Sequence, residues 1–388
     1  MKRLISLVVI ACIAFLPSSS AATKKPAVKP LKFLTTIGTP AQFAGVVTTG
    51  KTIIEYGNKG ENAFVRGFDI SGNELWNLDL DKLSPSIATA ATVDSSGIIW
   101  IAGSTSLVRP TPTPPSTTSA LDPDKVVLVP DVFTADLDAF SLWSLNPLTQ
   151  EIKQYCLQLN SPILINAISV DKSGITAVGS SGTLINADLA GQISKPISFG
   201  TEATNFQSLV RYSEGSKVVI GSSTETLGGK KLVGKEDGVI VKISKANKII
   251  SVVRSSATKA SRSWTSESSS LLLGGSVVTG SKIESAVTKF STKFLPTWTY
   301  RFASTGETFT VESTYAFLQS TTAVAQLSGW APKTPRSLLV NFDAKGAVIA
   351  AYSAPATQQA VLGLYASADL GLLCITSSAE SVSIFTLN

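Results

Sequence analysis

Between Asn62 and Leu80 (NAFVRGFDISGNELWNLDL) the apolar and polar positions alternate with a period of two, as they do when a strand buries one face. Phe64, Arg66 and Phe68 share one face, and Val65 and Gly67 the other. Asp69-Ile70-Ser71-Gly72 supplies a tight turn, with an Asp that can bond its own backbone and a Gly free to take positive φ. Glu74–Leu78 is the return strand. The stretch predicts a hairpin.

The same eight-residue frame returns as Ala139–Asn146, Ser181–Asp188, Asp237–Ser244, Glu284–Ser291, Arg336–Asp343 and Ser381–Asn388, making seven copies. Its second position is usually small, its seventh apolar, and its eighth an Asp, Asn or Ser that opens a turn. Upstream of the frames, pairs of short apolar runs end in a hydrophobic-Gly-Ser step at Gly103-Ser104, Gly179-Ser180, Gly221-Ser222 and Gly275-Ser276. Looser forms stand at Tyr56-Gly57-Asn58, Leu327-Ser328-Gly329 and Ile375-Thr376-Ser377. A Gly recurring at one place in a strand predicts close approach of a neighbouring backbone. Each unit therefore reads as four strands.

Four-stranded units of roughly 40–50 residues repeated around an axis predict an all-β fold, a seven-bladed β-propeller of four-stranded antiparallel blades. The last frame stops at Asn388, where other units continue into an outermost strand, while Leu31–Ile37 is a spare apolar run near the front. The expectation is that 31–37 completes the last blade by pairing with Ser383–Leu387 and closes the ring.

Ahead of this domain, Met1–Ala22 reads as a secretory signal: Lys2 and Arg3, an apolar stretch from Leu4 to Leu16, then small residues suited to cleavage. The apolar part falls short of the roughly 20 residues a spanning helix needs. Val9-Ile10-Ala11-Cys12 also resembles a lipobox, which would acylate Cys12, although the apolar run continues past it. Thr23–Pro30 is basic and Pro-rich and reads as a solvated tether. The propeller would then occupy 31–388, with one long insertion at 106–136, in a protein that is secreted or held at the cell envelope.

The full chain carries a formal charge of +6, which becomes +4 without Lys2 and Arg3. There is no compact Lys/Arg block interleaved with aromatics, so nucleic acid is not an expected partner. The chain has no histidine, which rules out Ser-His-Asp and Cys-His sites and any His-ligated metal. Cys156 and Cys374 fall on distant blades and read as free thiols. The acidic pairs Asp122-Pro-Asp124 and Asp136-Leu-Asp138 lack the central Gly and distal Glu of a calcium loop, so no cofactor is expected.

Connections between second and third strands emerge on one face of a propeller and the hairpin turns on the other. The turns Thr48–Lys51, Asp94–Gly97, Asp171–Gly174, Asp69–Gly72, Asp188–Gly191 and Asp343–Gly346 are short. The excess length lies in Ser106–Asp136, with Asp122, Asp124 and Asp131; in Ser223–Glu236, with Lys230, Lys231 and Lys235; and in Gly329–Pro335, with Trp330 and Lys333, next to Arg336. Long polar loops on a rigid scaffold are where binding tends to reside. Trp330 is expected either to stack on a sugar ring or a partner's apolar side chain, or to cap the barrel end. Trp76, Trp100 and Trp143 lie inside strands and read as packing residues.

The stretch Asn62–Trp76 resembles the secreted bacterial β-propeller repeat family, whose units read roughly Asp-Ala-Phe-Val-x-Lys-Leu-Asp-x-x-Gly-x-x-x-Trp; Asp69, Gly72 and Trp76 match its end. The terminal Trp is absent from the other units. More distantly, Asn146-Pro-Leu-Thr149 resembles quinoprotein-type repeats, but the adjacent cysteines of the quinone-binding members are missing. The reading that follows is a non-catalytic module binding a glycan or a protein at the cell envelope through its long-loop face. An extracellular enzyme using loop-face carboxylates, and an envelope-assembly scaffold, are the alternatives. Carboxylates converging at the axial mouth would favour the enzyme.

Overall fold

The computed structural model describes residues 25–81, 84–107 and 136–387. The expected signal 1–22 with Cys12, and the loop residues Asp122, Asp124 and Asp131, lie outside these. Two strands come first, β1 (Val28–Pro30) and β2 (Lys32–Ile37), and then the blades follow in chain order. Blade one is β3 (Phe43–Thr49), β4 (Thr52–Lys59), β5 (Asn62–Phe68) and β6 (Glu74–Asp79). Blade two is β7 (Ser86–Val93), β8 (Ile99–Thr105), β9 (Ala139–Asn146) and β10 (Glu151–Gln158). Blade three is β11 (Ile165–Asp171), β12 (Gly174–Gly179), β13 (Thr183–Ala187) and β14 (Ile197–Ser198). Blade four is β15 (Thr204–Arg211), β16 (Lys217–Ser223), β17 (Asp237–Ile243) and β18 (Ile249–Ser255).

Blades five and six share a strand. Blade five is β19 (Ser261–Glu267), β20 (Leu272–Thr279), β21 (Lys282–Phe290) and the first half of β22 (Pro296–Val311). The second half of β22 is the innermost strand of blade six, ahead of β23 (Tyr315–Ser320), β24 (Arg336–Phe342) and β25 (Val348–Ser353). Their seven strands, with β1 on the outer edge, form one 8-stranded sheet beside five 4-stranded ones, seven blades in all.

Blade seven consists of β26 (Ala360–Ser367), β27 (Gly371–Ser377) and β28 (Val382–Thr386), completed by β2. The ring closes as the spare apolar run predicts, with Lys32 opposite Thr386, Thr36 opposite Ser383 and Ile37 opposite Val382. The expected tether is shorter than 23–30, because β1 lies parallel to the outer edge of β25. An open strand edge leaves unpaired backbone groups that another segment can cover.

All seven frames form the third strand of a blade. In blade one the alternation holds: the Arg66 guanidinium lies over the rings of Phe64 and Phe68, 4.6 and 5.7 Å from their centroids. Gly67 faces the other way, where a Cβ would sit 2.3 Å from the Trp76 ring. Trp100 and Trp143 are buried between blades, as expected of packing residues.

The recurring Gly has a specific cause. In blades one to five the innermost strand carries a β-bulge opposite it. The bulge pushes a carbonyl toward the second strand. A Cβ on Gly57, Gly103, Gly179, Gly221 or Gly275 would lie 1.8–2.0 Å from the carbonyl oxygen of Gln42, Ile87, Leu164, Asn205 or Ser263. Blade six departs from the expected frame. Its second strand ends at Ser320, so Leu327-Ser328-Gly329 belongs to the following loop and ends no strand.

Candidate functional site

The long connections all join second to third strands: 106–138 in blade two, 224–236 in blade four and 321–335 in blade six. The blade-four and blade-six connections therefore leave from the same face. Order in the blade-four loop starts at Asp237, the first residue of β17, which is wholly buried. Asp237 Oδ2 accepts from the Val233 amide and Oδ1 from the Gly234 amide, both at 2.9 Å. Arg254 Nη1 stands 3.2 Å from Oδ2. Burial alone would raise the Asp237 carboxyl, but the Gly234 and Val233 amides, the Ser256 hydroxyl and the guanidinium outweigh it and hold the group below its ordinary value.

The same guanidinium ties the loop backbone at three further points. Arg254 donates to the carbonyls of Lys230 at 3.1 Å and Ser223 at 3.3 Å, and to that of Glu225. Glu225 in turn accepts from the Thr201 amide at 2.7 Å and the Thr204 hydroxyl at 2.5 Å, and these contacts lower its carboxyl. Leu227 is buried against Val239 and Val252. The chain then reverses through Gly228 and Gly229, both at positive φ. What remains outside is the cationic edge, with Lys230, Lys231 and Lys235 exposed. A loop with its interior fixed presents these charges at little conformational cost to a partner.

In blade six the loop has a small core of its own. Trp330 is buried with Val324 and Leu327, and its Nε1 donates to Ser320 Oγ at 3.2 Å. Arg336 covers the ring at 5.4 Å and donates to the Ala354 carbonyl at 3.1 Å. Trp330 therefore caps the end of its blade, the second of its two expected roles, and its edge lines a cleft with Arg336, Ser328 and Pro355. The cause is the apolar pair upstream, which gives the indole somewhere to bury. Lys333 is exposed beyond it. Blade five separates this loop from the lysine loop, and no hydrogen bond or ion pair among the described residues joins the two.

Glu307 and Glu267 are carboxylates on the innermost strands of neighbouring blades. Glu307 lies in a wide bulge between Ser304 and Thr308 at the start of its innermost strand. Glu267 ends β19, where both its oxygens are out of solvent and the Val210 backbone is the polar group beside them. Ser266 is level with Thr310 of the next blade. Burial raises both carboxyls, that of Glu267 strongly. No group of three His, Cys, Asp or Glu side chains is placed to hold a metal ion among the described residues. Cys156 is exposed on β10 and Cys374 buried on β27, both as free thiols.

Sequence reasoning located the loops but missed Arg254, whose role depends on a strand neighbour 17 residues from Asp237. The one available signal was an Arg on an outer strand beside an Asp that opens the third.

Fold and surface together define a β-propeller scaffold, a fold often used for protein binding. No protein-family model matches the chain, and no curated protein does. Among solved structures, the WD40 repeats of RRP9 are similar at 10% identity with a TM-score of 0.55, over 94% of this chain and 99% of that one. A structure of U3-55K is similar at 10% identity and a TM-score of 0.57, over 93% and 100% of the two chains. At that identity the likeness speaks of the fold alone.

Proposed function

We propose that this propeller is a non-catalytic binding module, secreted or held at the cell envelope, whose long-loop face takes a protein partner through an acidic segment. The observation that carries the reading is the blade-four loop: three exposed lysines on a backbone locked from within by one buried guanidinium. A protein partner is favoured over a glycan because Trp330 is buried and Arg336 occupies its ring. The compartment follows from Lys2, Arg3 and the apolar run Leu4–Leu16.

The test is an array of acidic, neutral and basic peptides beside a glycan array, probed with the protein and with a Lys230→Gln, Lys231→Gln, Lys235→Gln variant. Selective capture of acidic peptides is expected, lost by about tenfold in the variant and weakened by salt. Glycan capture that the variant leaves unchanged would overturn the reading.

A further inference from the structure

On the face opposite the long loops, every tight turn of one type needs a residue at left-handed φ, and the sequence usually supplies Gly or a polar residue there. Between first and second strands, Gly97 (φ 84°) and Gly215 (φ 88°) bond back to Asp94 and Tyr212. Between third and fourth strands, Gly72, Gly191, Gly346 and Asn247 bond back to Asp69, Asp188, Asp343 and Ser244 in the same way. Blade five breaks the pattern twice. Leu271 (φ 61°) bonds back to Ser268 at 2.9 Å, and Phe294 (φ 57°) to Ser291 at 2.8 Å. They are the two apolar side chains at left-handed φ among the described residues.

A bulky side chain in this region meets a steric cost that glycine avoids. Non-glycine residues persist there where their surroundings hold them, often at ligand sites. Leu271 and Phe294 sit in different turns, yet both line one cleft of about 410 Å³ between blades four and five. Phe290, Val218 and Tyr212 complete an apolar floor. That volume suits a small organic molecule.

The rim is cationic. Lys242 and Lys289 both line the cleft, and neither takes part in an ion pair among the described residues. Lys289 donates to the Ser270 carbonyl, leaving two of its three donor positions free. Glu214 is the one carboxylate on the rim; the Ser216 hydroxyl donates to its Oε1 at 2.5 Å, and that bond, helped by the charge of Lys242, lowers the carboxyl. Two ammonium groups against one carboxylate leave a positive excess above an apolar floor.

We propose that this cleft binds a small amphipathic monoanion, its carboxylate between Lys242 and Lys289 and its hydrocarbon or aryl body on Phe294, Leu271 and Phe290. The site is independent of the lysine loop, which lies on the opposite face.

The test titrates the protein with octanoate and benzoate, and with octanamide and benzamide, which keep the shape and remove the charge. Saturable binding of an acid at one site is expected, with its amide at least tenfold weaker. Lys289→Gln and Lys242→Gln should each weaken the acid about fivefold or more. Phe294→Asn, which suits the left-handed turn, should weaken octanoate most. The triple Lys230, Lys231, Lys235 variant should bind the acid normally. Amides binding as well as acids, octanoate and benzoate both failing to saturate by 10 mM, or full binding in both single lysine variants would overturn the proposal.

Discussion

Asp237 and Arg254 meet at 3.2 Å with both side chains almost wholly out of solvent, joining the third and fourth strands of blade four. Removing one partner strands the other, which costs about 3–5 kcal/mol for a buried pair. Asp237→Ala is therefore expected to lower unfolding free energy in urea by about that amount and to open the 224–236 loop to proteolysis. The Asp237 carboxyl is held below its ordinary 3.8, so the pair stabilises above that pH and loses its contribution as pH falls through the folded value. The variant should accordingly show a flatter acid limb in a stability profile from pH 2 to 6.

Gly221→Ala would place a Cβ 1.9 Å from the Asn205 carbonyl oxygen, where backbone has to move. We expect a loss of about 2–3 kcal/mol. Gly229→Ala is the control: it sits at φ 76° with nothing within 4 Å, so only the left-handed backbone resists, at about 1 kcal/mol. Equal melting shifts in the two variants would contradict the role assigned to the bulge.

Closure of the ring can be tested on β2 itself. Ile37 is 2% exposed and packs between blades seven and one, with Val46, Ile53 and Leu373 in the same cluster, so Ile37→Ala should cost about 2–4 kcal/mol. Phe33, on the same strand, is 56% exposed with only an edge contact to Phe385. Its replacement by Ala should cost about 1 kcal/mol. Equilibrium unfolding of both variants reads the difference.

Glu267 gives the opposite pH signature to Asp237. Burial raises its carboxyl well above the ordinary 4.5, so the folded chain keeps a proton that the unfolded chain releases. Its contribution is fully present below pH 4.5 and is lost as pH rises toward the folded value. Glu267→Gln, which stays neutral, should raise the urea midpoint at pH 8 more than at pH 4. A gain independent of pH would show that the acid is not protonated in the fold.

Trp330→Ala should cost about 3–5 kcal/mol, as expected of a buried tryptophan. If Trp330 were a contact residue, the protein would keep its melting temperature and lose only binding.

The strands were legible because period-two alternation and turn-opening residues at the eighth position are imposed by the pleat itself, from Phe64 to Phe385. Gly103 and its equivalents announced a close approach, though only coordinates revealed a bulged carbonyl as its cause. Trp330 was harder. Whether a loop aromatic is exposed depends on whether Val324 and Leu327 fold under it, which spacing does not encode. Leu271 and Phe294 were invisible for a related reason: sequence signals positive φ through Gly and Asn, and neither is present there.

Because β22 runs from blade five into blade six as one strand, broken only by the bulge at 304–308, no coil connector separates these two blades. These two sectors should therefore exchange their amide protons as one cooperative block, and any breathing of the ring is diverted to joints made of coil, among them 256–260, between the two blades whose cleft Leu271 and Phe294 line.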